Sequence, residues 1–310
     1  MSEVTPIIQF TPPQKEVFWS LYRVLWMVWR RQLGKSFTFG GKALDRCMER
    51  VNHMACIVSG SILMGSEVIE KEALLWRTLI DALRIVARSR KLKLTTNADD
   101  DDGLTLDADA VGDLFEHAKL ECRIWHSNTN YSRTRVLSPN PDTARGLSGD
   151  VFGDEVGFWP DFKATMDAIE PIISRRPDWI NWMATSPPAD DSHPTYELLL
   201  PQREIWTPSA TGNWYTTNTD DGSEGDPVHR VDAHDGILAG VPMYGRRDGK
   251  EVSIEEAMRQ AIDKEAFRRN YLLEFVAGGA SALSLSDLIA AQQRGAGKGL
   301  ALEITDILTA

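Results

Sequence analysis

The chain of 310 residues is poor in cysteine, and its three cysteines, Cys47, Cys56 and Cys122, are scattered. Three isolated thiols are too few for a disulfide framework or a zinc site, so we expect buried thiols in a reducing cytoplasm. The chain also lacks an apolar run of the ~18–20 residues that a membrane span requires. Its first residues show no basic region followed by an apolar stretch, so we expect no signal peptide.

Positive charge is scarce too, because 34 Lys and Arg stand against 45 Asp and Glu, which gives a net charge of −11. This net charge argues against a protein that binds nucleic acid over its whole surface, but it does not exclude binding through a local basic patch. Two clusters qualify, at residues 84–93 and 246–250, and the alternative is that both are solvated helix and turn charges. Four consecutive aspartates at residues 99–102 are expected to lie in an exposed loop.

The chain does contain the motif Arg31-Gln32-Leu33-Gly34-Lys35-Ser36 between an apolar run and a helical pattern. Val24–Trp29 is typical of a buried parallel strand, and a helix is predicted from residue 37 to about residue 52. A turn between a strand and a helix points backbone N–H groups at a phosphate. The motif therefore predicts a phosphate loop, in which Lys35 meets the β- and γ-phosphates and Ser36 binds Mg²⁺. Trp29 stands where the usual motif has its first glycine.

A second apolar strand, predicted at residues 151–154, ends in the acidic pair Asp154-Glu155. The carboxyl ends of strands are where open α/β sheets bind their ligands. We predict that Asp154 holds the metal and that Glu155 polarises the attacking water. The alternative is a solvated acidic turn.

The alternation of strands and helices predicts an α/β fold with a mainly parallel central sheet covered on both faces. Together with the phosphate loop and the Asp154-Glu155 pair, it predicts a three-layer P-loop NTPase of the catalytic-Glu type. Further strands are predicted near residues 55–59, 122–125, 134–137 and 179–184, and helices near residues 66–90, 162–174 and 254–269. Residues 206–234 are rich in Trp, Thr, Asn, Asp and Gly, which indicates a loop-rich or β-containing insertion. The predicted divisions are an ATPase core at 1–203, a small subdomain at 204–289 and a flexible tail at 290–310.

Three other positions are candidates for nucleotide contacts or coupling. Arg31 is placed to reach the γ-phosphate as an arginine finger does, and the alternative is an ion pair that braces the loop. Thr185-Ser186-Pro187 ends a strand at the same edge, where hydroxyls can sense the γ-phosphate, or it is a simple strand-to-turn transition. The Gln14 amide can donate to and accept from an adenine edge, although a Pro-Gln pair alone proves nothing.

In this order the segments resemble the ATPase portion of large terminase subunits, the DNA-packaging motors of tailed bacteriophages. Their phosphate loops often lack the first glycine and read Arg-Gln-x-Gly-Lys-[Ser/Thr], as residues 31–36 do. Residues 143–159, which contain an Arg-Gly turn and the acidic strand end, match most specifically and are most similar to the terminases of Mu-like phages. The remaining matches are to the coupling motif, the adenine-contacting segment and the closing segment of the ATPase region: Thr185-Ser186-Pro187, Pro13-Gln14 and residues 267–275.

The resemblance implies ATP and Mg²⁺ as cofactors and assigns roles residue by residue. Catalysis falls to three residues: Glu155, Lys35 and Arg31, the last acting in cis. Nucleotide binding falls to Gln14, Arg31, Gln32, Gly34, Lys35, Ser36 and Asp154, with Ser36 and Asp154 at the metal. Family members continue into an RNase H-like nuclease domain, and this chain stops at Ala310, so we expect no DNA cleavage by it.

The predicted function is ATP hydrolysis that powers translocation of double-stranded DNA into a viral procapsid. The expected partners are double-stranded DNA, a portal protein, a small terminase subunit and further copies of the chain in a ring. The expected location is the host cytoplasm, transiently at the procapsid portal, and no membrane is involved. The alternatives are a helicase-like nucleic-acid ATPase and a non-catalytic nucleotide-binding or portal-docking module.

Overall fold

The computed structural model describes residues 8–90, 114–144, 147–202, 205–219 and 223–276, with the backbone alone for residues 84–90, 143 and 144. The aspartate run at 99–102, the predicted tail at 290–310 and the side chains of the basic cluster at 84–93 lie outside this description. Within the described ranges, no helix combines the length and the apolar character that a bilayer span needs.

A nine-stranded sheet forms the centre of the described structure. Its strands are β1 (Val24–Trp29), β2 (Met54–Ser59), β3 (Phe115–Ala118), β4 (Glu121–Trp125), β5 (Tyr131–Leu137), β6 (Asp150–Asp154), β7 (Asn181–Thr185), β8 (Asn213–Thr216) and β9 (Pro227–Val231). The spatial order is β3-β4-β5-β2-β6-β7-β1-β9-β8. Six neighbouring strands run parallel, in the spatial order β5-β2-β6-β7-β1-β9. At one edge β4 pairs antiparallel with β5 and β3 with β4, and at the other edge β8 pairs antiparallel with β9.

Helices connect the parallel strands and cover both faces of the sheet. They are α1 (Pro12–Phe18), α2 (Lys35–Glu49), α3 (Ile62–Arg90), α4 (Pro141–Ala144), α5 (Phe162–Ile173), α6 (Pro194–Leu199), α7 (Ala233–Leu238), α8 (Ile254–Gln260) and α9 (Lys264–Phe267). A 3₁₀ turn at Val156–Phe158 and a π-helical turn at Arg268–Leu272 complete the list, together with the antiparallel pair β10 (Met243–Tyr244) and β11 (Glu251–Val252). The predicted α/β class with a mainly parallel sheet is confirmed.

Strand order brings the two predicted motifs close together, with a single strand between them. The phosphate-loop strand β1 and the acidic strand β6 both pair with β7, so one strand separates them. The sequence patterns do not predict this strand order. All three strands are buried along nearly their whole length, as continuous apolar runs in a parallel sheet require.

Two apolar layers sandwich the sheet, and strand residues alternate between them. On β1, Leu25, Met27 and Trp29 face the layer that α2 and α3 cover. Trp26 and Val28 face the opposite layer, which α5 covers. Since side chains alternate along a strand, this pattern fixes which face each residue at the strand ends occupies.

The sheet continues past the predicted boundary at residue 203. Strand β9 pairs parallel with β1, and β8 pairs antiparallel with β9, so both belong to the main sheet and not to an insertion. The sequence pattern misses β9 because His229 and Arg230 interrupt its apolar run, although both side chains are buried. Beyond β9, a separate small apolar cluster does form, from Ala233, Met243, Ile254, Ala257 and Phe267.

Candidate active site

The phosphate loop joins β1 to α2 and turns through two left-handed residues, Gln32 at φ 63° and Gly34 at φ 86°. The positive φ of Gly34 favours glycine, and a Cβ there would lie 2.3 Å from Gln14 Nε2, so a larger residue would displace the Gln14 side chain. Helix α2 begins directly after it at Lys35. The helix N-terminus and the loop amides together favour an anion.

Trp29, which replaces the first glycine of the usual motif, is a core residue of β1. Its indole Nε1 donates to His229 Nδ1 at 3.0 Å, and His229 Nε2 then donates to Thr211 O at 2.8 Å. An indole N–H can only donate, which fixes this tautomer of the imidazole. Burial lowers the pKa of His229 to about 4, so the ring is neutral. The tryptophan therefore holds β9 against β1 where a glycine would leave a gap.

Lys35 joins the two predicted motifs. Its buried ammonium donates to Trp29 O at 3.2 Å and forms an ion pair with Glu155 Oε1 at 3.3 Å. Glu155 follows β6 in the left-handed region, at φ 52°, which turns its side chain away from the strand direction. The lysine predicted to bind phosphate and the glutamate predicted to polarise water are thus in direct contact.

Ser36 and Asp154 form the candidate metal position. Ser36 Oγ donates to Asp154 Oδ2 at 3.0 Å, while Asp154 Oδ1 and Glu155 Oε2 are buried without a hydrogen-bond partner. The described residues contain no group of three or more His, Cys, Asp or Glu that could hold a metal. Hydroxyl and carboxylate oxygens suit Mg²⁺, which typically takes one or two carboxylates, with phosphate oxygens and water completing its octahedron. The Ser36 hydroxyl and the Asp154 carboxylate are therefore suitable ligands for Mg²⁺.

Asp154 has an unusual protonation equilibrium. Burial and the neighbouring Glu155 raise the pKa of Asp154 to about 6, against the opposing effects of Lys35 and the Ser36 hydroxyl. A divalent cation at the carboxylate would counter this rise, because it stabilises the ionised form.

Arg30 and Arg31 occupy different environments. Arg31 is exposed, and its side chain makes no hydrogen bond or ion pair with the described residues. Arg30 is 2% exposed and donates from Nη2 to Val241 O at 2.8 Å and from Nη1 to Arg31 O at 3.3 Å. The bracing role that the sequence offered for Arg31 therefore belongs to Arg30, and Arg31 is free to approach a ligand.

The Thr185-Ser186-Pro187 segment lies at the same edge of the sheet, and Thr185 contacts the turn that follows Glu155. The backbone N–H of Gly157 donates to Thr185 Oγ1 at 3.0 Å. Ser186 is fully buried, and its hydroxyl has no partner in the described structure. This contact joins the end of β7 to the acidic segment, as a coupling role requires.

The Gln14 side chain reaches the phosphate loop, but its amide is engaged within the protein. Its Oε1 accepts from Thr11 N at 2.8 Å, and its Nε2 donates to Gly34 O at 3.3 Å. Its contact with adenine stays a prediction.

Asn270 and Arg30 were missed by the sequence reasoning. The Asn270 carbonyl accepts from Arg31 N at 3.0 Å, so the π-helical turn at Arg268–Leu272 holds the first half of the loop. No local sequence pattern shows that a backbone carbonyl will accept a hydrogen bond from the loop. The sequence resemblance singles out residues 267–275 only as a segment and does not point to Asn270.

Arg246, Arg247 and Lys250 of the second basic cluster are exposed, and their contact with DNA stays a prediction.

Strand order, phosphate loop and acidic strand end define a P-loop ATPase fold of the catalytic-Glu type. The structure is similar to the large terminase ATPase domain of Thermus phage P74-26, with a TM-score of 0.53 and 18% identity over 85% of this chain and 93% of that chain. A point variant of the same domain gives a TM-score of 0.55 at 19% identity with equal coverage. No protein-family model and no curated protein sequence matches the chain. The fold is thus that of phage large terminase ATPase domains, and closeness to Mu-like phages stays a prediction.

Proposed function

We propose that this protein hydrolyses ATP to drive double-stranded DNA into a viral procapsid, as the motor of a large terminase. The observation that carries the proposal is the meeting of Lys35, Ser36, Asp154 and Glu155 in one cluster at the carboxyl edge of the sheet. Two chain segments more than 100 residues apart supply these four groups, which are the residue types that phosphoryl transfer to water uses. The likeness to terminase ATPase domains supports the motor role.

In the proposed mechanism Lys35 changes partner. In this structure its ammonium pairs with Glu155 and Trp29 O. A bound triphosphate draws Lys35 to its β- and γ-oxygens, which frees the Glu155 carboxylate to polarise the attacking water. Ser36 and Asp154 would hold Mg²⁺, which would neutralise charge on the phosphate oxygens. Arg31 reaches the γ-phosphate from its exposed position and stabilises the charge that develops there.

Coupling to DNA runs through the contact between the acidic segment and β7. When the γ-phosphate leaves, Glu155 moves, and the hydrogen bond from Gly157 to Thr185 transmits this shift to Ser186 and Pro187. The proposed partners are double-stranded DNA, a portal protein, a small terminase subunit and further copies of the chain in a ring. The proposed setting is the host cytoplasm, at the procapsid portal during packaging.

The test is steady-state ATP turnover by the purified chain, with and without double-stranded DNA, beside Lys35→Ala and Glu155→Gln. Loss of turnover in both variants, with tight nucleotide binding kept in Glu155→Gln, establishes the hydrolytic site. Stimulation of the wild type by duplex DNA supports the motor. Wild-type turnover that Glu155→Gln leaves unchanged would contradict the site.

Two other results would replace the motor with an alternative role. Separation of DNA strands during turnover would assign the protein to helicase-like ATPases. Binding of Mg-ATP without turnover, in the presence of DNA and at concentrations where the chain self-associates, would assign it a docking role.

A further inference from the structure

Ser59 is a buried hydroxyl at the catalytic edge that neither the sequence motifs nor the proposed mechanism uses. It is the last residue of β2, it is fully buried, and its Oγ has no hydrogen-bond partner. In the described structure only three serine hydroxyls share this state: Ser20, Ser59 and Ser186. A buried hydroxyl without a partner costs free energy, so its presence calls for a ligand or a structural reason.

Strand register places Ser59 beside the candidate metal carboxylate. Ser59 is the Cα partner of Asp154 across the parallel β2–β6 pair. Neighbouring strands lie about 4.8 Å apart, and residues in register on parallel strands point to the same face. Ser59 and Asp154 are therefore adjacent side chains.

The face they share is the one that α2 covers. Ala55 and Ile57 on β2 and Phe152 on β6 belong to the apolar layer under α2 and α3. Two residues further along each strand, Ser59 and Asp154 face the same way. The hydrogen bond from Ser36 on α2 to Asp154 Oδ2 confirms this direction for the carboxylate. The other oxygen, Oδ1, is the one without a partner.

Packing alone does not explain the hydroxyl. A Cβ on Gly65 of α3 would lie 3.5 Å from the Cβ of Ser59, an ordinary van der Waals distance, so α3 packs against this position. Alanine has the same Cβ and would pack there without burying an unpaired oxygen. The oxygen atom is therefore the feature that requires a function.

We propose that Ser59 is a positioning residue of the nucleotide site, whose hydroxyl hydrogen-bonds a water of the metal's shell beside Asp154. The inference rests on the proposed function, since it concerns the Mg²⁺ that Ser36 and Asp154 would hold. Groups that orient the first shell from outside it commonly change metal affinity by about 10- to 100-fold when they are removed. Ser59 approaches Asp154 from the strand on the side opposite β7.

The experiment compares Ser59→Ala with Ser20→Ala, which also deletes an unpartnered serine hydroxyl but lies in the connection between α1 and β1. ADP affinity is measured by calorimetry for each full-length variant, once with saturating Mg²⁺ and once with EDTA. We expect Mg²⁺ to increase the ADP affinity of Ser59→Ala about tenfold less than it increases that of the wild type. In EDTA the two proteins should bind ADP equally well. Ser20→Ala should match the wild type under both conditions.

Thermal unfolding without nucleotide separates positioning from packing. Removing an unsatisfied hydroxyl should leave the melting temperature of Ser59→Ala unchanged or raise it by about 2 °C. A lower melting temperature together with an unchanged Mg²⁺ gain would assign Ser59 to packing and overturn the inference. Ser59→Cys fills the same space with a weak donor, so it should lose the Mg²⁺ gain as well, even if the alanine variant folds poorly.

The outcomes also distinguish this inference from the proposed function. A wild type that binds ADP with a Mg²⁺ gain, beside a Ser59→Ala variant that keeps the whole gain, overturns the inference alone. A wild type whose ADP affinity does not respond to Mg²⁺ overturns both.

Discussion

Two consecutive arginines after β1 show how burial separates roles among neighbouring residues. Arg30 lies under α7, where a Cβ on Gly236 would come within 2.5 Å of its Nε, and it bonds Val241 O. Burial lowers the pKa of Arg30, against the raising effects of Tyr271 and Asp232. Arg31 extends into solvent from the next position. One guanidinium thus stabilises the fold around the loop, and the other is available to a ligand.

We predict opposite effects for alanine at these two positions. Arg30→Ala should lower the free energy of unfolding by about 2 kcal/mol, because it leaves buried carbonyls unpaired and opens a cavity. Arg31→Ala should change stability by less than about 0.5 kcal/mol and reduce ATP turnover about a thousandfold. Urea unfolding and steady-state turnover check both. Equal stability losses in the two variants would mean that Arg31 also braces the loop.

At the scale of elements, the end of β7 contacts the 3₁₀ turn at Val156–Phe158, and the proposed coupling depends on this contact. Gly157 donates to Thr185 Oγ1, and a Cβ on Gly157 would lie 2.7 Å from the same oxygen. The approach is close, so a shift of the turn must displace the strand end. The next residue, Ser186, lies outside β7 as its chain leaves the sheet.

We predict that Thr185→Val uncouples hydrolysis from DNA. Valine keeps the shape of threonine but removes the acceptor, so the buried Gly157 N–H loses its bond at a cost of about 1–3 kcal/mol. Nucleotide affinity should stay within about twofold of the wild type, because Thr185 touches no predicted phosphate ligand, while DNA stimulation of turnover is lost. Thr185→Ser, which keeps the hydroxyl, is the matched control. Full stimulation in the valine variant would rule out this route.

At the scale of the whole molecule, Glu72 makes folding stability depend on pH. This residue of α3 is 1% exposed and accepts from Thr134 Oγ1 at 2.9 Å, while its Oε2 has no partner. Burial raises the pKa of Glu72 to about 8, and the Thr134 hydrogen bond opposes the rise. The folded chain therefore keeps a proton that the unfolded chain releases, and stability falls as the pH rises toward 8.

The predicted contribution of Glu72 is a loss of about 1.4 kcal/mol per pH unit between roughly pH 5 and 8. Glu72→Gln removes this term and keeps the bond to Thr134, so its stability relative to the wild type should grow with pH across that range. Urea unfolding at several pH values measures the difference. Glu67→Gln, an exposed substitution on the same helix, should run parallel to the wild type. A Glu72→Gln curve parallel to the wild type would mean that Glu72 titrates normally.

Sequence patterns predict the elements whose signals are local. The apolar run predicted as a strand has the same bounds as β1 in the structure. The loop motif and the acidic strand end are each recognised from a few consecutive residues. Burial on both faces makes such strands continuously apolar, so pattern alone finds them. The edge strand β3 gave no such signal, because its four residues are mostly exposed.

Contacts that depend on strand order are seen in the folded structure and not in the sequence. Sequence patterns do not show that β9 lies beside β1, that Arg30 braces the loop, or that Ser59 lies in register with Asp154. Nor do they show that Lys35 pairs with Glu155. Each of these contacts joins residues far apart in the chain, and its geometry is fixed by the packing of the whole sheet. Local sequence specifies the chemical groups, and the sheet brings them within bonding distance.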